Sequence, residues 1–274
     1  GHGDARRRRF LAFQRRIDRE LLCHRVITAN RYTAWFAAGE QSAAELRAFV
    51  VQFSVFSNLF LLAQLRKTIN ADSLQAKRAS KEILANELGV TFRPPEHGGA
   101  QGPDGDGTTG SVQGGVFRFE SAHFEWLWRT AQAPDLEFLM IGKPRLATPS
   151  TRHFCDELYR LYGAEDYAVS QAASYAIENW AAAGFWKQLI EGFERYNARH
   201  HTRIPTGFFV WHDRLESQHA SHTRQELEEY YFEADVNEDD FIVHGNEMLD
   251  GVAAFWEGLD AQRASLGRKR RLVS

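Results

Sequence analysis

Three residues on one stretch of the sequence have the types and spacing of metal ligands. In Phe208-Phe-Val-Trp-His-Asp-Arg-Leu-Glu-Ser-Gln-His-Ala-Ser-His222, the residues His212, Glu216 and His219 stand at i, i+4 and i+7. At about 100° per residue, a helix projects them within roughly 60° of one another. Two imidazoles and a carboxylate on one stripe suit iron, manganese, zinc or copper. For the stripe alone, the plainer alternative is a solvated polar face that happens to carry histidines. His222 is turned roughly 60° away from His219, and reads as exposed or as a donor behind the ligands.

Other segments offer more of the same chemistry. Glu120 and His123 form a Glu-x-x-His pair, a recurrent ligand element of di-iron carboxylate bundles that also arises by chance. Glu178 lies in Ser174-Tyr-Ala-Ile-Glu-Asn-Trp; a carboxylate amid that much apolar surface needs a partner, because an unpaired buried charge is costly. Glu87, in Ala85-Asn-Glu-Leu-Gly, reads either as a ligand or as an exposed acid at a helix end. Together these segments supply four carboxylates and three imidazoles. That sum suits two metal ions bridged by carboxylates with positions open to dioxygen, whereas a single iron needs only two histidines and one carboxylate.

The elements that must carry these residues read as helices. Phe10, Phe13, Ile17 and Leu21 share one stripe of a helix over 4–27. Ser42 with Glu45 three residues on forms a capping box. The helix behind it runs to about Ile69 and is nearly apolar all round from Phe49 to Leu65, which predicts burial on most sides. A helix from Asp72 or Ser73 is stopped by Gly89. Helices are also predicted over 117–131, from a Ser150 cap to Tyr162, over 165–200 with Ala172, Tyr175, Ala176, Ala182, Phe185 and Leu189 inward, over 205–233, and over 238–264 with Phe241, Met248, Val252, Phe255 and Leu259 inward. No strand alternation stands out. The predicted fold class is therefore all-α, a bundle of about seven to nine helices. The stretch 94–115, bracketed by Pro94-Pro95 and Gly114-Gly115, reads as a Gly-rich insertion loop within one domain spanning 1–274. Its Asp104-Gly-Asp-Gly lacks the remaining ligands of an EF-hand. Gly1-His2-Gly3 reads as the remnant of a tag.

The chain has 274 residues, is 43% hydrophobic, and carries a net charge of −3. That leaves no global basic field for nucleic acid. No secretory h-region is visible, so a cytoplasmic protein without a membrane partner is expected. Cys23 and Cys155 make neither a disulfide framework nor a zinc site.

With these residues in place, the chain resembles the haem-oxygenase-like di-iron oxidases and oxygenases. That family shares its scaffold with haem oxygenase and the thiaminase-like TenA proteins. Its ligand pattern is a glutamate, a later histidine often with a glutamate close before it, a further glutamate, and then a His-x-x-x-Asp-x-x-His helix. Here Glu87 is followed after 36 residues by His123 with Glu120 before it, after 55 more by Glu178, and after 34 more by His212, Glu216 and His219. The likeness spans 42–233, and the set of spacings is more specific than any one motif in it. Two departures stand out: Glu216 occupies the family's usual Asp position, and the Gly-rich insertion falls between Glu87 and Glu120.

The resemblance implies an oxidoreductase that binds two Fe(II)/Fe(III) ions through Glu87, Glu120, His123, Glu178, His212, Glu216 and His219. It also implies dioxygen as co-substrate, an electron donor as partner, and a form compatible with a homodimer. The implied substrate is a small carboxylate- or amine-bearing molecule, such as an amino acid or fatty acid. The implied outcomes are desaturation, oxidative C–C cleavage with decarboxylation, or N-oxygenation.

Rival readings are a mononuclear non-haem iron oxygenase on the same scaffold, haem held by His24, a TenA-like hydrolase using Cys155, and a helical binding protein without catalysis. His153, His200, His201 and His244 read as surface residues. Trp126, Trp128, Trp180, Trp186 and Trp211 read as core, with Trp180 and Trp211 as a dry wall beside presumed ligands.

Overall fold

The computed structural model describes residues 2–92, 108–109, 117–119 and 121–273. Helix α1 (His2–Glu20) buries the predicted stripe: Phe10, Phe13, Ile17 and Leu21 are each 1% exposed or less. Two short helices follow, α2 (Arg25–Thr28) and α3 (Arg31–Ala37). Helix α4 (Ala43–Ile69) starts at the predicted box: the Ser42 hydroxyl accepts from the Glu45 N–H, and the Glu45 carboxylate accepts from the Ser42 N–H. By length and composition α4 could cross a membrane, but here it packs against α5, α6, α7 and α11. Its burial stops short of the expectation. Leu62, Leu65 and Ile69 are exposed, because the last turns of α4 lie at the edge of the bundle.

Helix α5 (Leu74–Glu87), capped by Ser73, returns antiparallel along α4 and ends before Gly89, whose φ of 67° only glycine adopts easily. Buried polar side chains lock this hairpin. The Gln64 amide donates to the Ser80 carbonyl and hydroxyl at 2.8 and 2.7 Å, and the Tyr162 hydroxyl donates to Gln64 Oε1 at 2.7 Å.

The segment after α5 departs from expectation. Val90–Phe92 (β1), Thr108–Thr109 (β2) and Phe117–Phe119 (β3) form an antiparallel ribbon with β3 in the middle, Val90 opposite Phe119 and Thr108 also opposite Phe119. Three-residue strands of β-branched and aromatic residues are too short to show a period in sequence. Of the insertion 94–115, only Thr108–Thr109 lies within the described residues. Helix α6 (His123–Gln132) begins at His123 rather than Phe117, with Ala122 extended and its N–H bonded to the Glu125 carboxylate at 3.0 Å. That removes the helical ground for pairing His123 with Glu120, and Glu120 itself lies outside the described residues.

Helix α7 (Pro149–Glu157) is capped by Thr148, not Ser150, because Pro149 takes the first helical position. It continues as a π turn, Leu158–Tyr162, that ends at Gly163. The predicted helix over 165–200 is two helices, α8 (Tyr167–Ala181) and α9 (Phe185–His200), broken at Gly184 with φ of 95°. The break leaves Ala182 exposed, against expectation. Helix α10 (Gly207–Glu233) matches the predicted span. Helix α11 (Glu238–Val273) runs beyond 264 and buries all five of its predicted core residues.

The architecture is all-α with a small ribbon attached. Its α-helical segments among the described residues number eleven. The excess over expectation comes from α2, α3 and the split of α8 from α9. Helix α11 packs on α7, α8 and α4, while α10 packs on α6, α8 and α9. That leaves a space between α4, α5, α8 and α10.

Candidate metal centre

Three helix ends and turns converge on this space. Glu87 is the last residue of α5, His123 the first of α6, and His212 sits in the second turn of α10. One donor atom from each lies within 4.8 Å of the others. His123 Nδ1 is 3.0 Å from Glu87 Oε2, with the two side chains 5% and 15% exposed. At that distance His123 Nδ1 still has no partner in hydrogen-bond geometry among the described residues. The two atoms are close without aiming at each other. Ligands of one ion behave this way: donors at about 2.1 Å from a metal and about 90° apart are about 3 Å from each other. The orphaned buried nitrogen, two imidazoles and a carboxylate together fit a transition metal.

The surroundings hold the rings in place. The His212 Nδ1–H donates to the Phe208 carbonyl, one turn back, at 2.7 Å. A carbonyl only accepts, so the proton sits on Nδ1 and Nε2 is left with its lone pair. The His212 ring stacks on Trp186 (4.9 Å, 25°) and packs on Phe208 (4.2 Å). His123 stacks on Trp126 (5.3 Å, 21°) and meets His212 edge-on at 4.8 Å. Trp211 packs at right angles to Trp126 at 5.5 Å. The tryptophans at 126, 180 and 186 are buried as expected, and among the described residues their indole N–H groups find no hydrogen-bond partner.

The cluster opens into a cavity of about 1140 Å³. Glu178, on α8, is 8% exposed and lines the same cavity, outside the tight group of Glu87, His123 and His212. Phe53, Phe56, Ile177, Trp180 and Trp186 form much of the apolar wall. Glu216, His219 and His222 belong to α10, but their side chains lie outside the described residues. Of the seven sequence candidates, the structure thus brings three together and sets Glu178 beside them.

Two rival readings lose their residues. The His24 Nδ1 accepts from the Val26 N–H at 3.2 Å, and Nε2 donates to Asp250 at 3.1 Å, so this imidazole caps α2 with both nitrogens engaged and none offered to haem. Cys155 is buried, and burial pushes its thiol up to about 12, opposite to what a nucleophile needs. His153, His200 and His201 are exposed, and His244 pairs with Glu247 at 3.3 Å. Two features escaped the sequence reading: the Trp186 stack on His212, which has no sequence signature, and the Phe208 carbonyl, which the i−4 position already offered.

No protein-family model and no curated protein matches the chain. Solved structures do match. A domain of unknown function with a heme oxygenase-like fold from Shewanella denitrificans OS217 aligns with TM-score 0.59 at 12% identity over 88% of each chain. A CADD-like protein of unknown function from Nostoc punctiforme PCC 73102 aligns with TM-score 0.57 at 16% identity, over 95% of this chain and 96% of that one. Both align over most of the chain at low sequence identity. The chain has the haem-oxygenase-like helical fold.

Proposed function

We propose that this protein is a dioxygen-activating non-haem iron oxidase or oxygenase that oxidises a small organic substrate held in the cavity. The observation that carries the reading is the convergence of Glu87, His123 and His212, in which His123 Nδ1 is buried without a hydrogen-bond partner among the described residues. These three would hold one iron. Glu178, with Glu120, Glu216 and His219 by resemblance, would hold a second. When bound, iron in such a donor set supplies the reduction of dioxygen and the oxidation of a C–H or N–H bond, with electrons from an external donor.

The chain's own residues do the rest. The Phe208 carbonyl fixes the tautomer and orientation of His212. Trp186 and Trp126 hold the two imidazoles by stacking. The apolar wall excludes water from the cavity and favours an organic ligand. Glu178 contributes a buried carboxylate beside the cluster. The reaction class within the family, whether desaturation, C–C cleavage or N-oxygenation, depends on the substrate, and a cytoplasmic location fits the need for a reductant.

A mononuclear site is the second reading, because two histidines and one carboxylate are the set that a single non-haem iron takes. Anaerobic Fe(II) titration with Mössbauer spectroscopy separates the two. Two ions per chain with a coupled diferric signal after oxygen exposure are expected, together with loss of one ion in His219→Ala and none in His222→Ala. One ion at saturation establishes the mononuclear reading, and no specific uptake refutes both.

A further inference from the structure

The face of the α4–α5 hairpin turned away from the cavity is apolar and basic at once. Five of the eleven large hydrophobic side chains exposed among the described residues are Leu62, Leu65 and Ile69 of α4 with Leu74 and Leu88 at the two ends of α5, each 44–63% exposed. Leu62, Leu65 and Ile69 stand at i, i+3 and i+7, which puts them on one stripe, opposite the Phe56 and Phe60 that line the cavity. Leu74, Lys77, Lys81 and Leu88, at i, i+3, i+7 and i+14, make the matching stripe of α5, opposite Ala79 and Ile83 of the cavity wall. The bonds from Gln64 to Ser80 hold the two helices side by side, so the two stripes form one surface. Less than half of the most apolar part of α4 is buried, so packing inside the bundle does not account for its outer stripe.

The charges on this surface have one sign. Lys77, Arg78 and Lys81 are exposed on it. Between Leu46 and Leu88 the chain carries three carboxylates, Asp72, Glu82 and Glu87, and all three line the cavity instead. The net charge of −3 conceals this segregation, because it sums both sides of the hairpin with the rest of the chain. Water gains nothing from five bare leucine and isoleucine side chains gathered on one face. A second copy of the same face would set its cations against these. A bilayer surface with anionic headgroups answers both features: acyl chains take the apolar stripe, and phosphates take the lysines and arginine, whose long stems reach past it. A basic helix with an apolar stripe is the pattern that lies on such surfaces.

We propose that the outer face of the α4–α5 hairpin docks on a bilayer surface rich in anionic lipid, with the exposed leucines and Ile69 entering the headgroup boundary and Lys77, Arg78 and Lys81 pairing with lipid phosphates. The face lies on the far side of α4 and α5 from the cavity and uses none of the metal-binding side chains, so it stands or falls apart from the iron reading.

The test is flotation of the full chain with vesicles of phosphatidylcholine alone and of phosphatidylcholine with about a third phosphatidylglycerol. Wild type is expected to float with the mixed vesicles and not with the neutral ones, and to bind more weakly as salt rises, because screening removes the charge attraction. Lys77→Glu with Lys81→Glu, and separately Leu65→Ser with Ile69→Ser, are each expected to lose about tenfold or more in affinity for the mixed vesicles. All four side chains are exposed, so helical content by circular dichroism should stay, and if one pair fails to fold the other still decides. Lys187→Glu with Arg203→Glu makes the same change in net charge at exposed positions elsewhere and is expected to bind like wild type. Absent binding to the mixed vesicles, equal binding to both kinds, or an equal loss in the Lys187 and Arg203 control overturns the proposal. A concentration-dependent dimer in light scattering that Leu65→Ser with Ile69→Ser abolishes, without vesicle binding, assigns the face to a second copy and overturns it as well.

Discussion

Glu87→Gln is the sharpest single substitution, because Glu87 had two opposite readings in sequence and they predict opposite results. As an exposed acid at a helix end, its loss would cost nothing measurable. As a ligand 3.0 Å from His123 Nδ1, its loss removes a charged donor while keeping size and shape. Changes outside the ligand set cost about tenfold to a hundredfold in metal affinity, so a lost ligand is expected to cost at least the upper end. Metal bound at a hundredfold excess over Kd stabilises the fold by about 2.7 kcal/mol; after a hundredfold loss of affinity the same concentration gives about 0.4 kcal/mol. At about 2–4 °C per kcal/mol for a chain of this size, wild type should rise in Tm by about 5–10 °C with Fe(II) or Co(II), and the variant by about 1–2 °C. The assay is anaerobic thermal unfolding with and without metal, with Glu194→Gln, an exposed acid on α9, as control. If Glu87→Gln keeps the wild-type metal-induced shift to within a degree, Glu87 is not a ligand and the three-residue cluster is wrong.

Three further outcomes follow from packing and burial. Gly192 on α9 lies against α3, and a Cβ there would fall on the carbonyl oxygen and ring of Phe36; Gly192→Ala should destabilise by about 1–3 kcal/mol in denaturant unfolding, and an unchanged midpoint would show that α3 and α9 are not in contact. Burial raises both the Tyr167 hydroxyl and the Cys155 thiol to about 12. Groups raised in the fold contribute stability below their ordinary values and lose it as pH climbs toward the folded ones, so stability should fall between about pH 9 and 12. At neutral pH only Cys23, the exposed thiol, should react with a maleimide in native protein; modification of Cys155 at the same rate would contradict its burial.

The helical class was legible because burial of one stripe leaves a periodic trace. Phe10, Phe13 and Ile17 of α1 with Leu21 just after it, and Phe241, Met248, Val252, Phe255 and Leu259 of α11, are buried where the period put them. The capping box at Ser42 is local chemistry and was equally readable. What failed was non-local or too short to be periodic. The ribbon Val90–Phe92 with Phe117–Phe119 depends on pairing across more than twenty residues of chain, and neither strand completes two alternations. The break at Gly184 was hidden because glycine in a run of alanines is also compatible with a continuous helix, and only the positive φ distinguishes the two.

The site divides along the same line. Glu178 was legible from its setting, since a carboxylate amid alanines and tryptophans has to be buried and engaged. Glu87 was not, because helix-end acids are common and nothing local shows that α6 places His123 against it. Lys67 was the least legible, and the reason is physical. In sequence it stands in Leu65-Arg-Lys-Thr-Ile69 at the end of an apolar helix, where a basic residue is favoured by the helix dipole whatever else it does. Only the π turn at Leu158–Tyr162 and the phase of α8, which bring the Tyr162 ring and the Ser174 hydroxyl around its ammonium, turn a routine helix-end lysine into part of the cavity lining.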